Sequence, residues 1–432
     1  MAGIHRSAAI VFSACALVSI TAATQAATAE RPAASGFVSF RDFIHATDGA
    51  SYSSYLAVSR NGGVRDSQAF AQMRSYILNL YRGVRVRHSF VLDGRYVDCV
   101  TINSQPSAQG QRIGKIPPAP RLPAGWSGAG HGDDSPLALG LRDAYGNAIS
   151  CPAGTIPMAR VSLSGTTAFP SMASYLAFKP AASKPHRYAI GHEAVKNLGG
   201  GSTMSIWDPK GYFSLSQVWI AAGSGAHTQT VEAGWITCAG CFKNKPSDSV
   251  PFVYFTPNNY QSDKQNRCYD LNCKNTFVQL DKNFVLGMPF AHYSTVGGKQ
   301  YYLTLNWEFA HSRWYLYVDG KALGYYRASL FGKDGPMSKH GDFIEFGGET
   351  FTNNDTWPPM GSGKFAADGS GKAASQSEIF YSAYPFPVGQ AAKLSRSVVP
   401  SDSKCYSVAG ANISGPPPGN TYIYFGGPGG KC

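Results

Sequence analysis

Charge is scarce in this chain of 432 residues: Asp, Glu, Lys and Arg together make up only 15% of it. Its 38 basic and 26 acidic residues leave a formal net charge of +12, yet Lys and Arg are scattered without forming a basic block. A nucleic-acid footprint needs such a block or stripe, so no nucleic-acid partner is expected. The surplus implies solubility and weak attraction to anionic surfaces. Long apolar runs are missing as well. Beyond the first residues nothing approaches the roughly 18 apolar residues of a membrane span, and no membrane association is expected. Catalytic signatures are equally thin. "HEAVK" at 192–196 lacks the second His of a zincin helix, and the remaining histidines have no ligand spacing. There is no GxSxG elbow, and "GSGK" at 361–364 and 369–372 lacks the spacing of a phosphate loop. No metal or other cofactor is therefore expected.

The first 29 residues are an exception to this polarity. Arg6, an apolar run from Ala8 to Ile20 and a small-residue end at Ala27-Thr28-Ala29 read as a secretory signal peptide cut near Ala29, hence a secreted protein. Removing Cys15 with it leaves eight cysteines, an even set that suits disulfides in an exported chain. Cys268 with Cys273 and Cys405 with Cys432 are the expected pairs, and Cys99 with Cys151 follows as a remainder. The CxxC motif of Cys238 and Cys241 stands alone, without the second motif of a zinc site, so disulfides are expected over a metal and its pairing is open.

With 48 glycines, 27 prolines and 13% aromatics, the composition suits a mainly β chain with many turns. The clearest helix is 66–83, where Phe70, Met73, Ile77 and Leu80 share a face behind a capping Asp66. "VRVRHSFVLDGRYVDCVTI" follows as a hairpin around Asp93-Gly94. Residues near 36–105 thus form a small α+β unit, and the Pro-, Gly- and Ser-rich run 104–135 reads as a linker. From His186 onward short strand-like runs recur between turns, including a second Asp-Gly hairpin at 314–326. These point to an antiparallel β-sandwich or closed barrel.

Four glutamates lie inside these runs: Glu232 in "TVEAGWIT" (230–237), Glu308 in "NWEF", and Glu345 and Glu349 in "FIEFGGET". Glu308, among alternating aromatics, reads as facing solvent. Glu232 is followed by Ala-Gly-Trp and Glu349 is preceded by Gly-Gly, small neighbours that let a substrate backbone approach. Two carboxyls brought together can share one proton, one acting as base on water and the other as acid on the leaving group. The residues alone leave alternatives open. A two-carboxylate glycosidase uses the same groups, and a non-catalytic carbohydrate- or surface-binding sandwich would carry them on its rim.

Longer stretches sharpen this. "FSLSQVWIAAGS" (213–224), "TVEAGW" (230–235), "RCYDLNCKNTFVQ" (267–279), "ALGYYRASLF" (322–331), "FIEFGGE" (343–349) and "PMGSGKF" (359–365) occur in that order. "YVDCVTINSQPS" (96–107), "CPAGTIPMAR" (151–160) and "HRYAIG" (186–191) precede or join them. Together they resemble the neprosin family of secreted glutamic peptidases, prolyl endopeptidases with an amino-terminal activation domain. The resemblance implies a lectin- or jelly-roll-like antiparallel β-sandwich with a cleft across one face and two catalytic glutamates, Glu232 and Glu349. Glu345 is the rival partner for Glu232. It implies an acid-active zymogen acting on peptide or protein substrates, with a preference for cleavage after proline; a monomer is expected. The expected domains are a signal peptide (1–29), an activation domain (30–160), a linker with the processing region (161–185) and a catalytic domain (186–432). "WITCAGCFKNKPSDSVPFVYFTPNNYQ", with the additional pair Cys238 and Cys241, departs from the family pattern. Trp235 and the aromatics of 212–219 are candidates to stack on a substrate proline, or else core residues.

Overall fold

Asp66 begins the predicted helix as expected: its Oδ1 accepts the backbone N–H of Ala69 at 2.7 Å, one of the donors that a helix start leaves unpaired. The computed structural model describes residues 36–59, 63–111, 113–123, 141–176, 186–239, 248–261, 269–398, 403–411 and 421–432. The expected signal peptide, Cys241, Cys268 and the 177–185 part of the expected processing region lie outside them. Helix α3 (Ser67–Leu80) buries Phe70, Met73, Ile77 and Leu80, the predicted face. It is preceded by α1 (Phe40–Asp48) and α2 (Tyr52–Val58), and followed far along the chain by α4 (Leu163–Thr167) and α5 (Met172–Leu176). These four have nine residues or fewer, too few for a helical period to stand out. Ser39, Ser51 and Ser162 cap three of them.

Strands β1 (Val86–Leu92) and β2 (Arg95–Thr101) form the predicted hairpin. Asp93 and Gly94 take φ of 48° and 69°, the left-handed pair that matches strand twist. β3 (Thr155–Ala159) adds the third strand against β2. Cys99–Cys151 ties β2 to the approach to β3. Next to it, Arg160 and Asp98 form a buried ion pair at 2.6 Å, with the guanidinium 4.4 Å from the Tyr96 ring centre.

The strands from residue 187 onward form a second, larger antiparallel sheet curled into two layers. Its strands begin with β4 (Arg187–Ser205), β5 (Phe213–Ala222), β6 (Gln229–Thr237), β7 (Val250–Thr256) and β8 (Val278–Gln279). They continue with β9 (Tyr302–Ala310), β10 (Arg313–Val318), β11 (Lys321–Arg327), β12 (Gly341–Phe351) and β13 (Ala374–Ala383). The last are β14 (Gly389–Ala391), β15 (Ser395–Val398), β16 (Ser407–Ala411) and β17 (Tyr422–Gly426). The main order is β7-β6-β5-β12-β4-β9-β10-β11-β8. β4 pairs with β12 through its first half and with β9 through its second. Between the halves, Gly199 and Gly200 have φ of 135° and 156°, and a Cβ there would meet Trp307 O at 2.1 Å and Phe380 O at 2.4 Å. Only glycine permits this passage from one layer to the other.

Between the layers lies the core. Val218, Ile220, Val231, Ala233, Trp235, Val253 and Phe255 pack against Leu303, Leu305, Trp307, Trp314, Leu316 and Tyr326. The fold is thus the expected mainly β sandwich with a small α+β region before it. The expected linker 104–135 is different at its start. Ser104, Gln105, Ser107 and Ala108 are all buried. Gln105 donates to Gln279 O at 2.8 Å and accepts from Gln279 N at 2.9 Å, while Ala108 packs with Tyr315, Tyr317 and Tyr325. Small polar residues that read as loop are buried here because the edge at β8 satisfies them.

Candidate active site

One face of the sheet β7-β6-β5-β12-β4 turns towards the core just described, so alternation sends every second residue to the other face. On β6 that outer set is Thr230, Glu232, Gly234 and Ile236. The register carries it across neighbouring strands. Glu232 pairs with Tyr254 on β7 and Trp219 on β5, and Trp219 pairs in turn with Glu345 on β12. Two residues along, Gly234, Gln217 and Gly347 form the next row. Another two residues along, Ile236, Leu215 and Glu349 form a third. All three acids predicted from the sequence therefore share one face. Glu345 stands level with Glu232, roughly 10 Å away across two strand spacings. Glu349 is displaced from that level by four residues, roughly 13 Å along the strands. Gln217 occupies the middle of the diagonal between Glu232 and Glu349.

The bed around them is apolar and aromatic: Phe213, Leu215, Trp219, Ile236, Phe252, Tyr254 and Phe351, with Tyr188 and Tyr260 packed against it. Glu232 and Glu349 are both 0% exposed, whereas Glu345 is half-buried. A buried carboxyl needs partners. Glu232 has three donors: Thr230 Oγ1 at 2.7 Å and Tyr260 OH at 2.5 Å to Oε1, and Gln217 Nε2 at 3.2 Å to Oε2. An ionised carboxylate accepts all three, whereas a protonated one would turn its own hydrogen towards a neighbour. Tyr260 reaches it through a turn in which Asn259 and Tyr260 both have positive φ, 53° and 58°. Thr256 Oγ1 holds that turn by accepting the Tyr260 N–H at 2.8 Å. Two successive non-glycine residues in the left-handed region are costly, and such strain collects at functional sites.

Glu349 has different company. His186 Nδ1 lies 2.5 Å from its Oε1, and Tyr188 OH donates to the same oxygen at 3.3 Å. The His186 ring stacks on Phe351 with centres 4.7 Å apart. Trp235 faces the other way: it is fully buried and its indole N–H donates to Ser205 O at 2.9 Å. It is a core residue, because its odd position on β6 points inward, and so it offers no stacking surface to a substrate. Phe213 and Trp219 do belong to the outer face.

Glu308 is not on this face, nor does it face solvent. It is buried on β9, with Ser382 Oγ donating to it at 2.6 Å. Burial pushes its carboxyl up to about 7. Among the described residues no cluster of His, Cys, Asp or Glu has the arrangement to hold a metal ion. Cys405–Cys432 forms as expected. Cys238 and Cys273 are also disulfide-bonded.

Gln217, Tyr260, Thr230, His186 and Tyr188 were not singled out from sequence. One signal was available: in "FSLSQVW" the outward positions read Phe213, Leu215, Gln217, Trp219, and a lone amide in an apolar row is unusual.

The fold and this face define a mainly β protein with two fully buried carboxyls set in an aromatic bed. The Neprosin family model matches residues 210–428, just over half of the chain, and the protein belongs to that family. Membership makes it a peptidase-type hydrolase in broad terms.

Proposed function

We propose that this protein is a glutamic endopeptidase in which Glu232 and Glu349 act on opposite sides of one peptide bond. The observation that carries the proposal is the diagonal Glu232–Gln217–Glu349 across a single aromatic face, with both carboxyls wholly buried. Glu232, with three donors converging on it, suits the carboxylate that takes a proton from water. Glu349 is the acid that protonates the leaving amide nitrogen. Because they are separated by a row, the two are better placed to bracket a bound peptide than to share one proton directly. Glu345, level with Glu232 but half-buried, is assigned to the flank of the site.

An acid that must arrive protonated loses its role as rising pH ionises it, so the activity is assigned to acidic conditions. A substrate cannot reach glutamates that are 0% exposed, so on this reading the face opens before the enzyme acts, as activation of a precursor would require. The disulfides suit export to an oxidising compartment. The aromatic bed would accept the flat ring of a proline before the cleaved bond.

The test is incubation of the purified full chain at about pH 3–4, followed by sequencing of new amino termini and cleavage of a proline-containing peptide. A new terminus near 165–186 and peptide cleavage, both lost in Glu232→Gln and Glu349→Gln, are the expected results. Sugar release without proteolysis, or full cleavage by either variant, would overturn the reading.

A further inference from the structure

Gln217 is 0% exposed, and its two amide ends are treated very differently. Nε2 donates one hydrogen to Glu232 Oε2 at 3.2 Å. Oε1 is buried and accepts no hydrogen bond. A buried acceptor without a donor costs about 1–3 kcal/mol, so its retention calls for a reason. The backbone beneath it is well held: Gln217 O accepts from Gln376 Nε2 at 3.1 Å, and Gln376 also binds Ser216 Oγ and Ser202 Oγ. The rows beside it hold glycine because the neighbouring backbone leaves no room for a side chain. Gly234 and Gly347 flank it, and a Cβ on Gly234 would lie 1.9 Å from Ser216 O, one on Gly347 2.4 Å from Ala189 O. The amide thus stands in register between two glycines, midway between two carboxyls.

We propose that Gln217 is a third catalytic residue, whose carboxamide holds the attacking water and the scissile carbonyl between Glu232 and Glu349. This rests on the two-glutamate reading above. The water gives one hydrogen to the Glu232 carboxylate and directs the other to Gln217 Oε1, which leaves a lone pair for the carbonyl carbon. As the C–O bond forms, the first hydrogen passes to Glu232 as a proton, and the carbonyl electron pair moves onto its oxygen. That oxyanion accepts the second Nε2 hydrogen of Gln217. Collapse of the adduct breaks the C–N bond, and the proton of Glu349 goes to the departing nitrogen.

Steady-state kinetics of the acid-processed enzyme on a proline-containing peptide tests this, with Gln217→Met as an isosteric variant that has no amide. The expected result is a kcat about 100-fold lower with KM changed less than threefold, since one lost oxyanion donor costs that much in other enzymes. Gln217→Glu supplies a second readout. A protonated Glu keeps one donor and one acceptor whereas an ionised one keeps no donor, so this variant should add an ionisation that alters the alkaline limb of the profile relative to wild type. A purely structural role would not move the pH profile. Wild-type kcat in Gln217→Met, or an unshifted profile in Gln217→Glu, would overturn the proposal while Glu232→Gln remains inactive. Activity in Glu232→Gln would instead overturn the two-glutamate reading on which it rests.

Discussion

Glu232 and Glu308 both sit within β-strands and both are almost wholly excluded from water, yet their surroundings are opposite. Glu232 receives three hydrogen bonds on an aromatic face that also carries Gln217 and Glu349. Glu308 has one donor, Ser382, and burial holds its carboxyl up at about 7. Burial by itself therefore does not mark a catalytic carboxyl. What distinguishes the first region is a set of donors directed at a carboxylate and a second acid on the same face. The second region is a protonatable group inside the sandwich, with a consequence for stability rather than chemistry.

The largest effect should come from the first region. Glu232→Gln and Glu349→Gln are each expected to lower kcat by about 10³-fold, within the range for loss of an acid or base, with an unchanged melting temperature. Glu345→Gln should retain activity within tenfold; a loss as deep as that of Glu349→Gln would transfer the partner role to Glu345. Tyr260→Phe removes one of the three donors and should lower kcat about 10-fold, the cost of a hydrogen bond to a charged group. Full activity would show that the strained turn at Asn259 and Tyr260 is not needed by Glu232.

The second region should answer to pH and leave catalysis alone. With its folded value raised to about 7 from 4.5, Glu308 keeps its proton in the native state while the unfolded chain has already lost it. Below about pH 4.5 both states are protonated and nothing is lost. As pH rises towards 7 stability falls, by at most about 3 kcal/mol, and then levels off. Chemical denaturation across pH 4–8 should record this slope in the wild type and a flatter one in Glu308→Gln, with catalysis unchanged. An equal slope in both would remove Glu308 as its source. The smallest effect belongs to Ser382→Ala. Its hydroxyl favours the ionised form, so its loss should move the limb of the stability curve to higher pH.

Much of the architecture was legible locally. Asp93-Gly94 and Asp319-Gly320 have the left-handed pair that a two-residue hairpin demands, and the sequence alone identifies both. The α3 face and the Asp66 cap were legible for the same reason, since a helix of fourteen residues repeats its pattern several times. The four shorter helices do not. Residues 104–108 misled because Ser, Gln and Pro signal a loop in any local reading, whereas their hydrogen bonds come from Gln279 and Cys273.

By itself the sequence determined which residues alternate, where the tight turns fall, and that four glutamates are embedded in strands. Those are nearest-neighbour matters, governed by backbone sterics and a period of two. The tertiary structure decided which strands became neighbours: β5 came to lie between β6 and β12, although β12 is far along the chain. That single pairing put Gln217 between Glu232 and Glu349. No local pattern encodes it, because strand order and register follow from packing two whole layers face to face.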